Sequence, residues 1–242
     1  MDRETRQILL VDGSPAMLYY HAVLLKRLEY AVTTASTPED ALAMMPPLAP
    51  SLIVTAFSFP RMNGIEFIKV IKGAEPAKGV PVVMITAEDD PAVRSACTIL
   101  GCTACLLKPA EPAVLYRTIQ AALEPNPRAH IRLNTSLRVM VENKTAASAD
   151  ERTAFAMAIS EGGLYLRTLA PQPKDAAVSV RIFIKDREIK AKAVVLYTCR
   201  LDGGAFREPG MGMKFVEISD EDRAFVRSFI KDQLVSDIVP GM

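Results

Sequence analysis

Along residues 1–124, apolar residues come in short runs separated by stretches where they recur at helical spacing. Ile8–Val11, Leu52–Thr55 and Val82–Thr86 have the length and density of strands buried on both faces, and Ala31–Thr34 and Ala104–Leu107 are shorter runs of the same kind. Between and after them, Ala16–Leu28, Pro38–Met45, Ile65–Ile71, Ala92–Leu100 and Ala113–Leu123 carry apolar residues on one helical face. Thr37 reads as an N-cap ahead of a first-turn proline. Five strands, each followed by a helix, predict an α/β N-terminal domain: a five-stranded parallel sheet in (βα)5 order with helices on both faces. In such sheets the chemistry gathers at the C-terminal strand ends, here Asp12-Gly13, Ala56-Phe57, Thr86-Ala87 and Lys108-Pro109.

The pattern breaks at Glu124-Pro125-Asn126-Pro127, where two prolines stop a helix and favour extended chain. This divides the protein into residues 1–124 and residues 125–242. Beyond the break the period shortens towards two. Ser136–Asn143, Thr153–Ile159, Leu164–Thr168, Ala177–Ile184, Glu188–Tyr197 and Gly212–Val216 read as strands. Glu161-Gly162-Gly163, Pro171-Gln172-Pro173 and Asp202-Gly203-Gly204 are turn signals between them. Ser219-Asp220-Glu221-Asp222 opens a helix like a capping box, and Phe225, Val226, Phe229 and Ile230 fit one face of it. Strands followed by one helix predict a small antiparallel β-barrel with a C-terminal helix.

Composition narrows the function. With 50% apolar and 24% charged residues the chain is of the soluble globular type. No apolar run reaches the roughly 18 residues of a membrane span, and the charged start Met1–Arg6 has no signal-peptide core; we expect a cytoplasmic protein without membrane insertion. A net charge of +1 argues against bulk binding of nucleic acid. Residues 1–124 hold 11 Lys/Arg against 13 Asp/Glu and the remainder 18 against 15, so the second half is the better host for an anion. Three of the four cysteines, Cys97, Cys102 and Cys105, lie within nine residues. His21 and His130 are too distant in sequence to complete a zinc motif with them, and the cysteines read as small apolar residues. No nucleophile–base pair and no metal constellation stands out, so the expectation is a non-enzymatic protein with no catalytic residues, no metal and no cofactor.

The first-half motifs ILLVDG, Phe59-Pro60-Arg61-Met62-Asn63-Gly64, VVMITA and LLKP, in this order, resemble a response-regulator receiver domain. The resemblance implies phosphoryl transfer to an aspartate at the end of the third strand, Mg²⁺ held by acids after the first, and a Thr/Ser and a Lys that read the phosphoryl group. Mapped onto this chain, Asp12 keeps one acid but Gly13 follows it, Thr86 and Lys108 hold the reading positions, and the acceptor position is Ala56. A methyl group is no nucleophile. Cys105 stands where the family has an aromatic switch residue. The expectation is a degenerate receiver site (Asp12, Ala56, Thr86, Lys108) on a domain kept for protein contact, homodimerisation included.

In the second half, Arg128-Ala129-His130-Ile131-Arg132, then Ala158-Ile159-Ser160-Glu161-Gly162-Gly163, then Gly210-Met211-Gly212-Met213-Lys214-Phe215 resemble a PilZ domain, the family that binds cyclic di-GMP. The resemblance assigns ligand contacts to Arg128, Arg132, Ser160 and Gly163. Guanidinium groups suit that ligand, because they grip phosphate as a fork and can bond or stack on guanine. His130 reads as incidental. The family motif begins with Asp or Asn where this chain has Ala158. Two readings follow: a cyclic di-GMP effector acting on a protein partner in motility or biofilm-type control, or a ligand-free interaction scaffold in which Ala56 and Ala158 are parallel losses.

Overall fold

The computed structural model describes residues 6–73, 77–145, 148–199 and 208–238. Residues 1–5 of the charged start and the Asp202-Gly203-Gly204 turn signal lie outside the described residues. The chain forms two compact units, Met1–Ala129 with Gln233–Met242, and His130–Asp232.

In the first unit, strands β1 (Gln7–Val11), β2 (Ala31–Ala35), β3 (Leu52–Ala56), β4 (Val82–Thr86) and β5 (Ala104–Leu107) form one parallel sheet in the order β2-β1-β3-β4-β5. Helices α1 (Pro15–Arg27), α2 (Pro38–Leu48), α3 (Gly64–Gly73), α4 (Pro91–Ile99) and α5 (Pro112–Leu123) connect them. The central strands β3 and β4 are buried at every residue, as their unbroken apolar runs require. Four of the helices start with the same device, a side-chain cap followed by proline: Ser14-Pro15, Thr37-Pro38, Asp90-Pro91 and Glu111-Pro112. Each cap accepts a backbone N–H of the first turn, where proline itself has no hydrogen to leave unpaired. Helix α2 runs three residues beyond the expected Met45, through Pro46 and Pro47. Both prolines are exposed and lie in its last turn, so few carbonyls lose a partner before Ala49 closes the helix in the left-handed conformation at φ 45°.

The second unit is a closed antiparallel barrel in the order β10-β11-β8-β7-β6-β9. Its strands are β6 (Leu133–Thr145), β7 (Ser148–Ser160), β8 (Gly163–Arg167), β9 (Ala177–Ile184), β10 (Arg187–Cys199) and β11 (Gly210–Ile218). β6 and β7 are longer than their apolar stretches, since pairing with each other carries both through polar sequence as a hairpin. β9 alternates strictly, with Val178, Val180, Ile182 and Ile184 turned inward against Val139, Ile159, Ile189 and Val195.

Helix α6 (Asp220–Val235) follows. Ser219 caps it, its Oγ accepting the Asp222 N–H at 3.0 Å. Asp222 does not reach back as a capping box would; its carboxylate receives Arg187 Nη2 at 2.7 Å and Nε at 3.0 Å, and Glu221 takes Arg187 Nη2 at 2.9 Å. The Arg187 guanidinium also lies 4.9 Å from the centre of the Phe225 ring. These contacts fasten the start of α6 to the barrel.

Ile182 is fully buried and faces Val139 on β6 and Ile189 on β10. Replacing it with alanine should destabilise the barrel by about 2–5 kcal/mol, read as an earlier chemical-denaturation transition for this unit alone.

Candidate functional site

Two sites need description, one per unit. At the C-terminal edge of the parallel sheet, Asp12 is buried just past β1. Its Oδ1 accepts the Ser14 N–H at 2.9 Å and its Oδ2 is ion-paired with Lys108 Nζ. Lys108 donates its backbone N–H to the Thr86 carbonyl at 2.8 Å and precedes a cis peptide bond to Pro109. Thr86 Oγ1 accepts the Glu88 N–H at 3.1 Å. Ala56 closes β3 with its methyl group buried. The fold thus gathers Asp12, Ala56, Thr86 and Lys108 at adjacent strand ends. The lysine is already engaged by the one remaining acid, and a buried charge keeps its place only when so paired.

His21 lies behind this pair on α1, with no exposed surface, its ring 5.1 Å from Tyr20 in an edge contact. Among the described residues neither ring nitrogen has a hydrogen-bond partner. Burial pushes its pKa down to about 4; the Asp12 carboxylate opposes that shift and the Lys108 ammonium adds to it. The cysteines behave in part as expected. Cys97 is buried, its Sγ 3.3 Å from Met84 Sδ, while Cys102 and Cys105 are half-buried at the rim of the same core. Burial raises the pKa of Cys97 and Cys102, which leaves little reactive thiolate.

The second site lies on the outer face of the barrel where β6, β7 and β8 begin and end. Ser160 and Gly163 flank the tight β7–β8 turn and are paired in its register. Ser160 Oγ donates to the Gly163 carbonyl at 3.1 Å, so its lone pairs point away from that bond. Gly163 passes so close to β11 that an added Cβ would sit 2.0 Å from the Met213 carbonyl oxygen; only glycine fits. On the facing strand, Leu133 pairs with Ile159 and Asn134 with Ala158. Arg132, which is exposed, leads directly into β6 ahead of Leu133. The ladder shifts on both sides of this spot, between Asn134 and Leu137 on β6 and between Ala156 and Ala158 on β7. Such bulges re-aim the side chains next to them. Arg128 groups with the first unit, where its N–H reaches Gln120 Oε1 at 3.3 Å.

Glu161, in the β7–β8 turn, is a junction that the linear pattern does not mark. Its Oε2 accepts Arg227 Nε at 2.9 Å, its carbonyl accepts Arg223 Nη1 at 2.9 Å, and His130 Nδ1 stands 3.9 Å from the same Oε2. The His130 ring rests beside Gly162, where a Cβ would come within 3.1 Å of Cδ2. Both arginines lie on α6, more than 60 residues from Glu161, and nothing in local periodicity links them. Among the described residues, no group of three or more His, Cys, Asp or Glu is placed to hold a metal ion, and no helix is long and apolar enough to cross a membrane.

Comparison with known proteins defines the class. Residues 8–120 match the response regulator receiver domain and residues 126–232 match the PilZ domain. The chain therefore joins a receiver domain to a PilZ domain, two modules of signal transduction. It is similar to the two-component response regulator ORR7 of Oryza sativa subsp. japonica, 32% identical over 120 residues that cover 48% of this chain and 56% of that protein. It is also similar to the DNA-binding response regulator MtrA of Mycolicibacterium smegmatis, 28% identical over 126 residues, 52% of this chain and 54% of that one. The chain thus spans about half the length of these curated relatives. Among solved structures, the chemotaxis protein CheY4 of Vibrio cholerae shares 29% identity at a TM-score of 0.47, over 49% of this chain and 99% of that one.

The His21 environment has a measurable consequence. Unfolded, the imidazole titrates near 6.5; folded, it stays neutral down to about 4. Below pH 6.5 the unfolded chain gains a proton that the folded one refuses, so stability present above that pH is lost as pH falls towards 4. Between pH 7 and pH 4.5 the wild type should lose roughly 2–3 kcal/mol more stability than His21→Leu, measured by denaturant titration at the two pH values.

Proposed function

We propose that this protein is a non-enzymatic adaptor in which the PilZ domain binds cyclic di-GMP and transmits its presence to a protein partner, with a motility or biofilm-type output. The observation that supports the reading is that the exposed Arg132 leads directly into β6, whose first pair, Leu133–Ile159, adjoins Ser160 and the close-packed Gly163. A guanidinium, a hydroxyl with free lone pairs and a closely approachable backbone are then neighbours. Arg132 and Arg128 would clasp phosphate or the O6/N7 edge of guanine as forks, and Ser160 Oγ would accept a guanine N–H without breaking its own bond to Gly163. Arg128 would be drawn in as the linker closes over the ligand. Ligand contacts of this kind need a dianion, and the excess of basic residues in the second half suits one.

The receiver domain, in the same reading, serves protein contact, self-association included, and takes no aspartyl phosphate. Two features support this: the buried methyl of Ala56 at the acceptor position, and the commitment of Lys108 to Asp12. A second reading, a scaffold without ligand, is favoured by one observation, the absence of a polar side chain at Ala158. Losing one such contact costs about 1–3 kcal/mol, roughly 10- to 100-fold in affinity.

Calorimetric titration with cyclic di-GMP decides between the readings. Saturable binding should appear in the wild type and vanish in Arg128→Ala/Arg132→Ala, with the barrel's circular dichroism unchanged; no heat at high micromolar ligand would leave the scaffold reading. Incubation with acetyl phosphate and Mg²⁺ should yield no hydroxylamine-sensitive mass increase of one phosphoryl group, and its appearance would refute the absence of an aspartyl phosphate in the receiver domain.

A further inference from the structure

Ala158 removes a side chain from the guanine seat, yet the barrel brings another polar group to the same place. Asn134, at the start of β6, is the direct cross-strand partner of Ala158. Residues so opposed hold their Cβ atoms about 4.5–5.5 Å apart on one face of the sheet. Asn134 is exposed and Ala158 half-buried, while their neighbours Val139 and Ile159 are turned into the core, so the pair lies on the outer surface. By the two-residue alternation of a strand, Ser160 shares that face with Ala158, and the exposed Arg132 stands just ahead of β6. The surface thus reads Asn134 on one strand against Ala158-x-Ser160 on the other.

On its other side Ala158 pairs with β8. Its partner on β8 is Tyr165, which is followed across the sheet by Gly212 and Tyr197. The two tyrosine rings stack with centroids 6.3 Å apart and planes 25° from parallel. The Tyr165 ring leans over β11, its hydroxyl donating to the Glu208 carbonyl, and leaves the small Ala158 methyl open beside Asn134. A purine laid over that methyl would meet the polar side chain of Asn134.

We propose that Asn134 takes the role left vacant at Ala158 and reads the guanine edge of cyclic di-GMP from the neighbouring strand. An asparagine carries the acceptor and the two donors that the edge demands: its carbonyl oxygen takes a guanine N–H, or its amide donates to O6 and N7. The methyl at position 158 is what allows this, because a longer side chain there would occupy the space that the Asn134 amide must cross. The inference rests on the cyclic di-GMP reading above and adds the residue that confers base selectivity.

The test is titration of four full-length proteins, wild type, Asn134→Ala, Ala158→Asn and the double variant, with cyclic di-GMP and with cyclic di-AMP. Asn134→Ala should weaken cyclic di-GMP binding roughly 10- to 100-fold and erase the preference over cyclic di-AMP, a change that mere loosening of the barrel would not produce. Adding Ala158→Asn to that variant should restore both. Equal affinity and selectivity in wild type and Asn134→Ala would overturn the inference while leaving the ligand site standing. Binding gained only with Ala158→Asn would overturn it too, since Asn134 would then have replaced nothing. Binding by none of the four would refute the cyclic di-GMP reading and this inference together.

Discussion

The pairing of β6 with β7 is the constraint on which the second half depends. Barrel closure admits one set of inward side chains, and a slip of one residue would exchange the two faces of a strand. That register turns Ile159 and Val139 inward and leaves Asn134, Ala158 and Ser160 on the surface. The shifts between Asn134 and Leu137, and between Ala156 and Ala158, break the β6–β7 and β7–β8 ladders beside this place, and two more break β10–β11 at Lys192/Ala193 and Val195/Tyr197. Irregular pairing of this kind bends strands locally and re-aims the side chains beside it within an otherwise closed frame.

The first half shows the opposite economy. The strand ends that carry chemistry in such sheets are present, but their polar groups satisfy one another. Asp12 holds the Ser14 N–H and the Lys108 ammonium, and Thr86 receives the backbone of Glu88 and Lys108. Without an acceptor at Ala56, the ion pair neutralises charges that would otherwise be buried alone. His21, buried beside this pair, is kept neutral chiefly by its burial.

Much of this was legible in the sequence. Alternating apolar runs and helical stripes specified the five βα units, and period-two stretches specified the barrel strands, because burial on one or both faces writes itself into local order. Ser219 as a cap was legible for the same reason. Three things were not. Helix α2 continues through Pro46 and Pro47 because their exposure at a helix end removes the usual penalty, and exposure is a tertiary property. Glu161 draws Arg223, Arg227 and His130 together from distant parts of the chain. Asn134 faces Ala158 only after bulges have reset the register, and no count of residues from either motif predicts where a bulge falls. Reading the motif alone makes Ala158 a loss; reading its neighbours shows what surrounds it.

Barrel closure also governs how this chain can be recognised. β9 bonds to β10 as well as to β6, so each of the six barrel strands is paired on both sides. A partner peptide therefore finds backbone to extend only where one strand outruns its neighbour, as β7 does before Phe155, where it pairs with β6 alone; along the closed part, contact passes through side chains, turns or α6. The parallel sheet still ends in β2 on one side and β5 on the other. Strand addition, with the aggregation it invites, is thus a hazard of those two edges and of the β6–β7 hairpin where it outruns the barrel.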